Sequence, residues 1–221
     1  MIKMSALACI CRHNVQCGCQ GYKTLTKLTQ PENVLPGLFR AADLVAHGIP
    51  RGRLRTLLLK GEVEQVGRGL YRLATVKSNE LETVALAALS VPGGIICLLS
   101  ALQLHEIGTQ LPHEMWIAID RKARKPKRLP ISVRVVRFSG SMLTYGIQTR
   151  TILGVPVRVT SPARTVVDCF RYRNKIGLDI ALEALRDAVR SRKASVDAIT
   201  RAAEVCRARS VIRAYLEALA I

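Results

Sequence analysis

The chain has 221 residues, room for two modest domains or one larger one, and 49% of them are hydrophobic, which excludes wholesale disorder. No apolar run approaches the roughly 18 residues of a membrane-spanning helix. The formal charge of +18 and the pI near 10.3 call for a polyanionic partner, and both sides of Ser78 are basic: 12 basic against 4 acidic residues before it, 22 against 12 after it. Nucleic acid fits that balance better than a membrane surface, because no basic amphipathic helix rich in Trp or Phe is present.

Residues 1–21 differ from the rest of the chain. Cys9, Cys11, His13, Cys17 and Cys19 lie in the run CICRHNVQCGC. Four thiols and an imidazole are a donor set for tetrahedral zinc, but the spacing is C-x-C rather than C-x-x-C and little else is there to fold around. We expect a flexible extension and no metal. The apolar run over 6–11 is too short for a signal peptide. Cys97, Cys169 and Cys206 sit in apolar contexts and read as buried free thiols, as expected in a reducing cytoplasm.

Residues 22–32 suit a first helix, with Leu25 and Leu28 inward and Pro31 at its end. The run PGLFRAADLVAHGIPRGRLRTLLLKGEVEQVGRGLYRL over 36–73 follows. Phe39, Ala42, Leu44 and Val45 predict a short amphipathic helix that stops at Gly48. Ile49 plugs the turn, and Pro50 stands in the first turn of a second helix. There Leu54, Leu57 and Leu58 recur at i, i+3, i+4 and face inward. Arg51, Arg53, Arg55, Thr56 and Lys60 are left for the outer and flanking sides. Leu59 projects outward among them, toward a thymine methyl or the second domain. Strands over 62–66 and 70–73 enclose Gly67-Arg68-Gly69, a hairpin with a basic tip, and Arg72 lies on the return strand. Helix, glycine turn, arginine-rich helix and basic hairpin together predict a winged helix-turn-helix, its second helix in a major groove and its hairpin on the neighbouring backbone.

After a short polar link over 75–79, α and β signals alternate. Helices are expected over 81–90 and 100–105, the second capped by Ser100, and strands over 95–99, 114–120 (EMWIAID) and 131–138 (ISVRVVRF). Between the last two lies RKARKPKR, where Arg121, Lys122, Arg124, Lys125, Lys127 and Arg128 are six cations in eight positions. It reads as an exposed loop: solvated, contacting nucleic acid, or docking an acidic protein. A hairpin about Gly154 joins strands over 149–153 and 155–159. Ser161-Pro162 opens a helix over 163–173, with the hydroxyl as N-cap. Helices over 178–192, 196–206 and 210–220 complete the chain. The fold class is therefore α+β: an extension over 1–21, a winged helix-turn-helix over 22–76, and over 80–221 an α+β domain with a small sheet and a helical tail.

The second-helix region and the run GRGLYRL resemble the N-terminal domain of the AbiEi antitoxins, over about 22–74. LLSALQLHEI and RVTSPARTVVDCF resemble the C-terminal region of that family more loosely. The resemblance implies a cytoplasmic transcriptional repressor that binds double-stranded DNA, at inverted repeats in its own promoter. It also implies a C-terminal domain countering a cognate nucleotidyltransferase-like toxin, with no cofactor. The rivals are a winged-helix regulator without a toxin partner and a DNA-guided nuclease.

No catalytic set emerges. Arg164 and Asp168 stand at i, i+4 and read as an intrahelical ion pair. His105-Glu106 and His113-Glu114 lack the spacing of H-E-x-x-H. Asp120, at a strand end, has no second carboxylate and following lysine to complete a nuclease site. No phosphate-cradling G-x-x-x-x-G-K-[ST] occurs. We expect no enzyme activity.

Overall fold

The structure, a computed structural model, describes residues 31, 34–77, 79–127 and 129–219. The cysteine-rich run, the helix expected over 22–32 apart from Pro31, and Arg128 lie outside the described residues. The class is mixed α and β.

A three-stranded antiparallel sheet comes first, ordered β1-β3-β2, from β1 (Leu38–Arg40), β2 (Val63–Gly67) and β3 (Leu70–Leu73). The helices α1 (Asp43–Ala46) and α2 (Arg53–Leu59) lie between β1 and β2 in the chain. Phe39, expected on the first helix, is a strand residue paired with Tyr71. The helix starts later because the Asp43 carboxylate accepts the Arg40 N–H at 2.8 Å and holds the chain in a turn there. Val45, counted as apolar face, is exposed. Gly48 takes φ +72, and the Ile49 N–H reaches back to the Leu44 carbonyl at 2.9 Å, closing the turn.

The larger sheet has five strands ordered β6-β5-β4-β8-β7: β4 (Ile95–Ile96), β5 (Met115–Asp120), β6 (Val133–Phe138), β7 (Ile147–Ile152) and β8 (Val155–Thr160). It is mixed, with β5–β6 and β4–β8 parallel and β4–β5 and β7–β8 antiparallel. The strand expected over 95–99 is cut short because α4 (Leu98–Leu104) begins immediately after Cys97. Ser100 is not its cap: its hydroxyl accepts the Trp116 N–H at 2.9 Å and ties α4 to β5. Ser161 does stand at the N-cap of α5 (Pro162–Arg171), but its side chain makes no capping bond; its carbonyl receives the Thr165 N–H.

Alternation along β5 assigns the two faces. Trp116 and Ala118 belong to one core with α4, α5, α6 (Arg173–Ile176), α7 (Leu178–Arg190), α8 (Val196–Val205) and α9 (Arg209–Leu219). Seven consecutive residues of α5, Arg164–Phe170, are buried, because the large sheet and the neighbouring helices together enclose it. Met115, Ile117 and Ile119 face the other way, toward α3 (Glu80–Ser90), whose N-cap Asn79 accepts the Glu82 N–H at 2.9 Å.

The small sheet packs on that same second face. Leu38 and Leu70 belong to the core shared with α3, β5 and β8, whereas Phe39, Leu73 and Val63 face Leu44 and Leu57. The Leu153-Gly154 turn of the β7–β8 hairpin lies against Pro36. Gly154 has φ +79, and a Cβ there would stand 2.4 Å from the Pro36 Cβ. Residues 31–221 accordingly form one compact unit, with the small core laid over the large sheet.

Candidate nucleic-acid interface

Pro50 begins the turn that leads into α2, and the Arg53 N–H bonds to its carbonyl at 2.9 Å. Leu57 is buried, with Leu54 and Leu58 packed beside it, so the opposite side of the helix faces solvent. Arg55, Thr56 and Leu59 are exposed there, and Arg51 and Lys60, before and after the helix, are exposed as well. Arg53 is half-buried. At about 100° per residue it falls close to Leu57, on a flank of the helix. Leu59 is 80% exposed, so it does not pack on the second sheet. Lys60 has Glu62 at 3.8 Å. Among the described residues no carboxylate lies within ion-pairing distance of Arg51, Arg53, Arg55 or Arg68.

The hairpin places Arg68 in its turn, exposed between Gly67 and Gly69, the latter at φ +72. From Glu62 to Arg68 the extended chain spans roughly 20 Å. The cation thus stands at the far end of the hairpin from the Glu62 end that follows α2.

Arg72 does not join this surface. Strand alternation turns it to the side of Leu70, under α3. There its Nη1 donates to both carboxylate oxygens of Glu82, at 2.8 and 3.0 Å, and its Nη2 donates to Glu64. Those bonds, Glu64 first, hold its pKa above the ordinary value. Arg72, which the notion of a basic hairpin grouped with Arg68 as a backbone anchor, fastens the hairpin to α3 through these bonds. Arg40, not singled out in the sequence, is likewise turned inward, donating to the Leu89 carbonyl.

The loop from β5 to β6 starts with a fixed turn. The Asp120 carboxylate accepts the Lys122 N–H at 2.7 Å, and Arg137 donates to the carbonyls of Asp120 and Ala123. Beyond it Arg121, Lys122, Arg124, Lys125 and Lys127 are exposed. The far end of the loop meets the hairpin tip. A Cβ on Gly67 would lie 3.2 Å from the Pro130 Cβ, and a cleft of about 340 Å³ is lined by both Arg68 and Lys127. Two cationic segments far apart in the chain are neighbours.

The other tempting residues serve the core. Arg164 and Asp168 form the expected ion pair at 2.9 Å, fully buried rather than on a surface. Asp120 and His113 are exposed, and among the described residues no three His, Cys, Asp or Glu side chains group as metal ligands. Cys97, Cys169 and Cys206 are buried free thiols, pushed by burial above the ordinary thiol range. No helix among the described residues is long and apolar enough to cross a membrane.

His105 is buried, and its tautomer follows from its partners. The Arg150 guanidinium can only donate, at 2.9 Å, so Nδ1 accepts and Nε2 donates to the Thr160 carbonyl at 2.6 Å. Burial, with the Arg150 charge, lowers its pKa from 6.5. The unfolded chain therefore binds this proton more readily. The contribution of His105 to stability is present above pH 6.5 and is lost as pH falls through the lowered native value. His105→Gln is expected to flatten the acid limb of a plot of Tm against pH; an unchanged limb would assign it to other groups.

These features lie where comparison with known proteins gives its clearest result. Residues 35–74 match the AbiEi antitoxin family of transcriptional regulators. The AbiEi-matching stretch contains β1, α1, α2, β2 and β3 entire, and with them Arg51, Arg55, Thr56, Lys60 and Arg68. The fold as a whole resembles the crystal structure of the RV2827C protein from Mycobacterium tuberculosis, with a TM-score of 0.52 and 17% identity, over 76% of this chain and 67% of that one. At that identity the likeness concerns the fold alone. No curated protein matches the sequence.

Proposed function

We propose that the protein is a DNA-binding transcriptional repressor and antitoxin of the AbiEi type. One observation carries the reading: the stretch that matches the AbiEi regulators is the stretch that presents α2 and the basic hairpin to solvent. In this reading α1, α2 and the β2–β3 hairpin belong to a winged helix-turn-helix. The second helix lies in the major groove of double-stranded operator DNA, at inverted repeats in the protein's own promoter. Arg51, Arg55, Thr56 and Lys60 face that groove, Arg53 flanks it, and Leu59 is free to meet a thymine methyl. Arg68 holds backbone. Residues 22–76 serve DNA, and residues 80–221 counter a nucleotidyltransferase-like toxin in the cytoplasm. The second role is supported by the resemblance of LLSALQLHEI and RVTSPARTVVDCF, since the family match ends at Ala74. No catalytic role is assigned.

The test uses the full chain in two assays. Binding to DNA from immediately upstream of its gene is compared with binding to a scrambled duplex at one salt concentration. The upstream DNA should bind at least 10³-fold tighter, the lower range for specific recognition. Equal affinities would overturn the reading. Co-expression with an adjacent nucleotidyltransferase-like protein should restore growth. Operator binding without rescue would leave a regulator with no toxin partner.

A further inference from the structure

The cleft between the hairpin tip and the β5–β6 loop has no task in the DNA-binding reading. Its volume of about 340 Å³ is that of a small-molecule pocket, far too small for a duplex. Three cations line it from three separate parts of the chain: Arg40 at the end of β1, Arg68 in the hairpin turn and Lys127 in the loop. Arg40 is half-buried, and among the described residues its guanidinium donates to the Leu89 carbonyl alone. Among the same residues no carboxylate lies within ion-pairing distance of Arg40, Arg68 or Lys127. Charges withdrawn from water are ordinarily paired, so a half-buried guanidinium without a counter-charge calls for an anion. Ser90, at the end of α3, belongs to the same lining, and its hydroxyl has no hydrogen-bond partner. Elsewhere the walls are apolar, from Leu70, Leu89, Leu129 and Pro126. Pro130 sits against Gly67 and holds the hairpin tip beside the loop, so the cleft is already formed.

From these features we infer that the cleft binds a small phosphate monoester with an apolar body, and that its occupant releases the protein from DNA by taking Arg68. The inference rests on the DNA-binding reading, in which Arg68 holds backbone. A monoester carries about 1.5–2 negative charges at neutral pH and offers three acceptor oxygens. Two guanidiniums and an ammonium around one cleft match that demand, whereas a single arginine satisfies a carboxylate with two parallel bonds. The apolar walls receive the other end of the ligand. Apart from the Ser90 hydroxyl, no lining side chain accepts a hydrogen bond, so nothing there rewards the hydroxyls of a sugar phosphate. Arg68 cannot neutralise a ligand phosphate and a DNA phosphate together. The two therefore compete, and DNA must weaken the ligand by the same factor as the ligand weakens DNA.

The experiment titrates the full chain with phenyl phosphate, inorganic phosphate and glucose 6-phosphate, read by calorimetry and by Tm. Phenyl phosphate should bind saturably and about tenfold tighter than the other two, because it alone also buries a ring. Lys127→Gln, at an exposed position, should weaken that binding about tenfold without moving the Tm of the free protein. Arg40→Met should weaken it as well. In a second assay at matched ionic strength, saturating phenyl phosphate should lower wild-type affinity for operator and scrambled duplexes alike, by about fivefold or more. On Arg68→Ala it should have no effect. If no probe binds with a Kd below about 1 mM, or binding survives both Lys127→Gln and Arg40→Met, the site is overturned; operator preference retained in that case keeps the repressor reading. Equal affinities for phenyl and inorganic phosphate would overturn the apolar body of the ligand. Tight binding that leaves DNA affinity unmoved would overturn the release through Arg68. If the wild-type protein prefers no sequence, yet phenyl phosphate binds and loosens every duplex, the repressor reading falls and the cleft stands.

Discussion

Arg55→Ala is expected to weaken binding to the operator by about tenfold to a hundredfold, with much less effect on scrambled DNA. Arg55 is exposed on the side of α2 away from Leu57, where a guanidinium can meet the O6 and N7 of guanine. A contact of that kind discriminates by about 1–3 kcal/mol, and its loss removes the discrimination while leaving the phosphate contacts. Arg68→Ala should behave differently. From the hairpin tip it should lower affinity for all sequences together and make the salt dependence shallower by about one contact. Arg72→Ala should act on stability, because its guanidinium is held by Glu82 and Glu64. The measurement is Kd for operator and scrambled duplexes at one fixed salt concentration. An Arg55→Ala protein that loses both affinities equally would show that α2 is not reading bases.

The second large effect concerns the helical core. Asp168→Ala should cost about 3–5 kcal/mol, because it leaves a buried guanidinium without its counter-charge. Arg164 is fully buried. Its Nη1 donates to the Tyr145 carbonyl at 2.7 Å and its Nη2 to Met142 at 3.2 Å, and its guanidinium lies over the Phe138 ring. Those bonds tie α5 to the turn before β7, and none of them replaces the lost negative charge. For a chain of this size the loss corresponds to a fall in Tm on the order of 10 °C. Replacing both partners, as Arg164→Met with Asp168→Leu, should recover much of it, since a packed apolar pair carries no desolvation cost. A cost below about 1 kcal/mol for Asp168→Ala would show that water or rearrangement reaches Arg164.

The same carboxyl sets a pH dependence. Burial raises its pKa from 3.8 to about 6, against the pull of Arg164. The native state therefore holds this proton more tightly than the unfolded chain. Its contribution to stability is complete below pH 3.8 and is lost as pH rises through about 6. His105 acts in the opposite direction as pH falls below 6.5.

Much of this architecture was legible from local pattern. The positions Leu54, Leu57 and Leu58 oriented α2 without any tertiary information, because a helix repeats every 3.6 residues and only one stripe can be apolar. Gly48 announced the left-handed turn after the first helix, and it adopts φ +72. The i, i+4 spacing of Arg164 and Asp168 was enough to pair them. The helical start of the tail was marked by Ser161-Pro162, though the hydroxyl does not cap. The stretch recognised through GRGLYRL is the one that matches the AbiEi regulators.

What local pattern left open was which face each element turns to which neighbour. Leu70-Tyr71-Arg72-Leu73 has apolar residues at both ends, so alternation by itself leaves both faces of β3 open to burial. Only the packing of the small sheet between α2 and α3 sends Leu70 and Arg72 one way and Tyr71 and Leu73 the other. Phe39 became a strand residue for the same reason: β3 had an open edge, and three residues of pairing outweigh one more turn of a four-residue helix. The burial of Arg164 and the meeting of Pro130 with Gly67 join residues tens of positions apart, and no periodicity reports on such contacts. The sequence by itself determined the helix stripe, the turns and the charge. Tertiary structure decided which cations reach solvent, because burying a guanidinium requires partners that only the folded chain brings together.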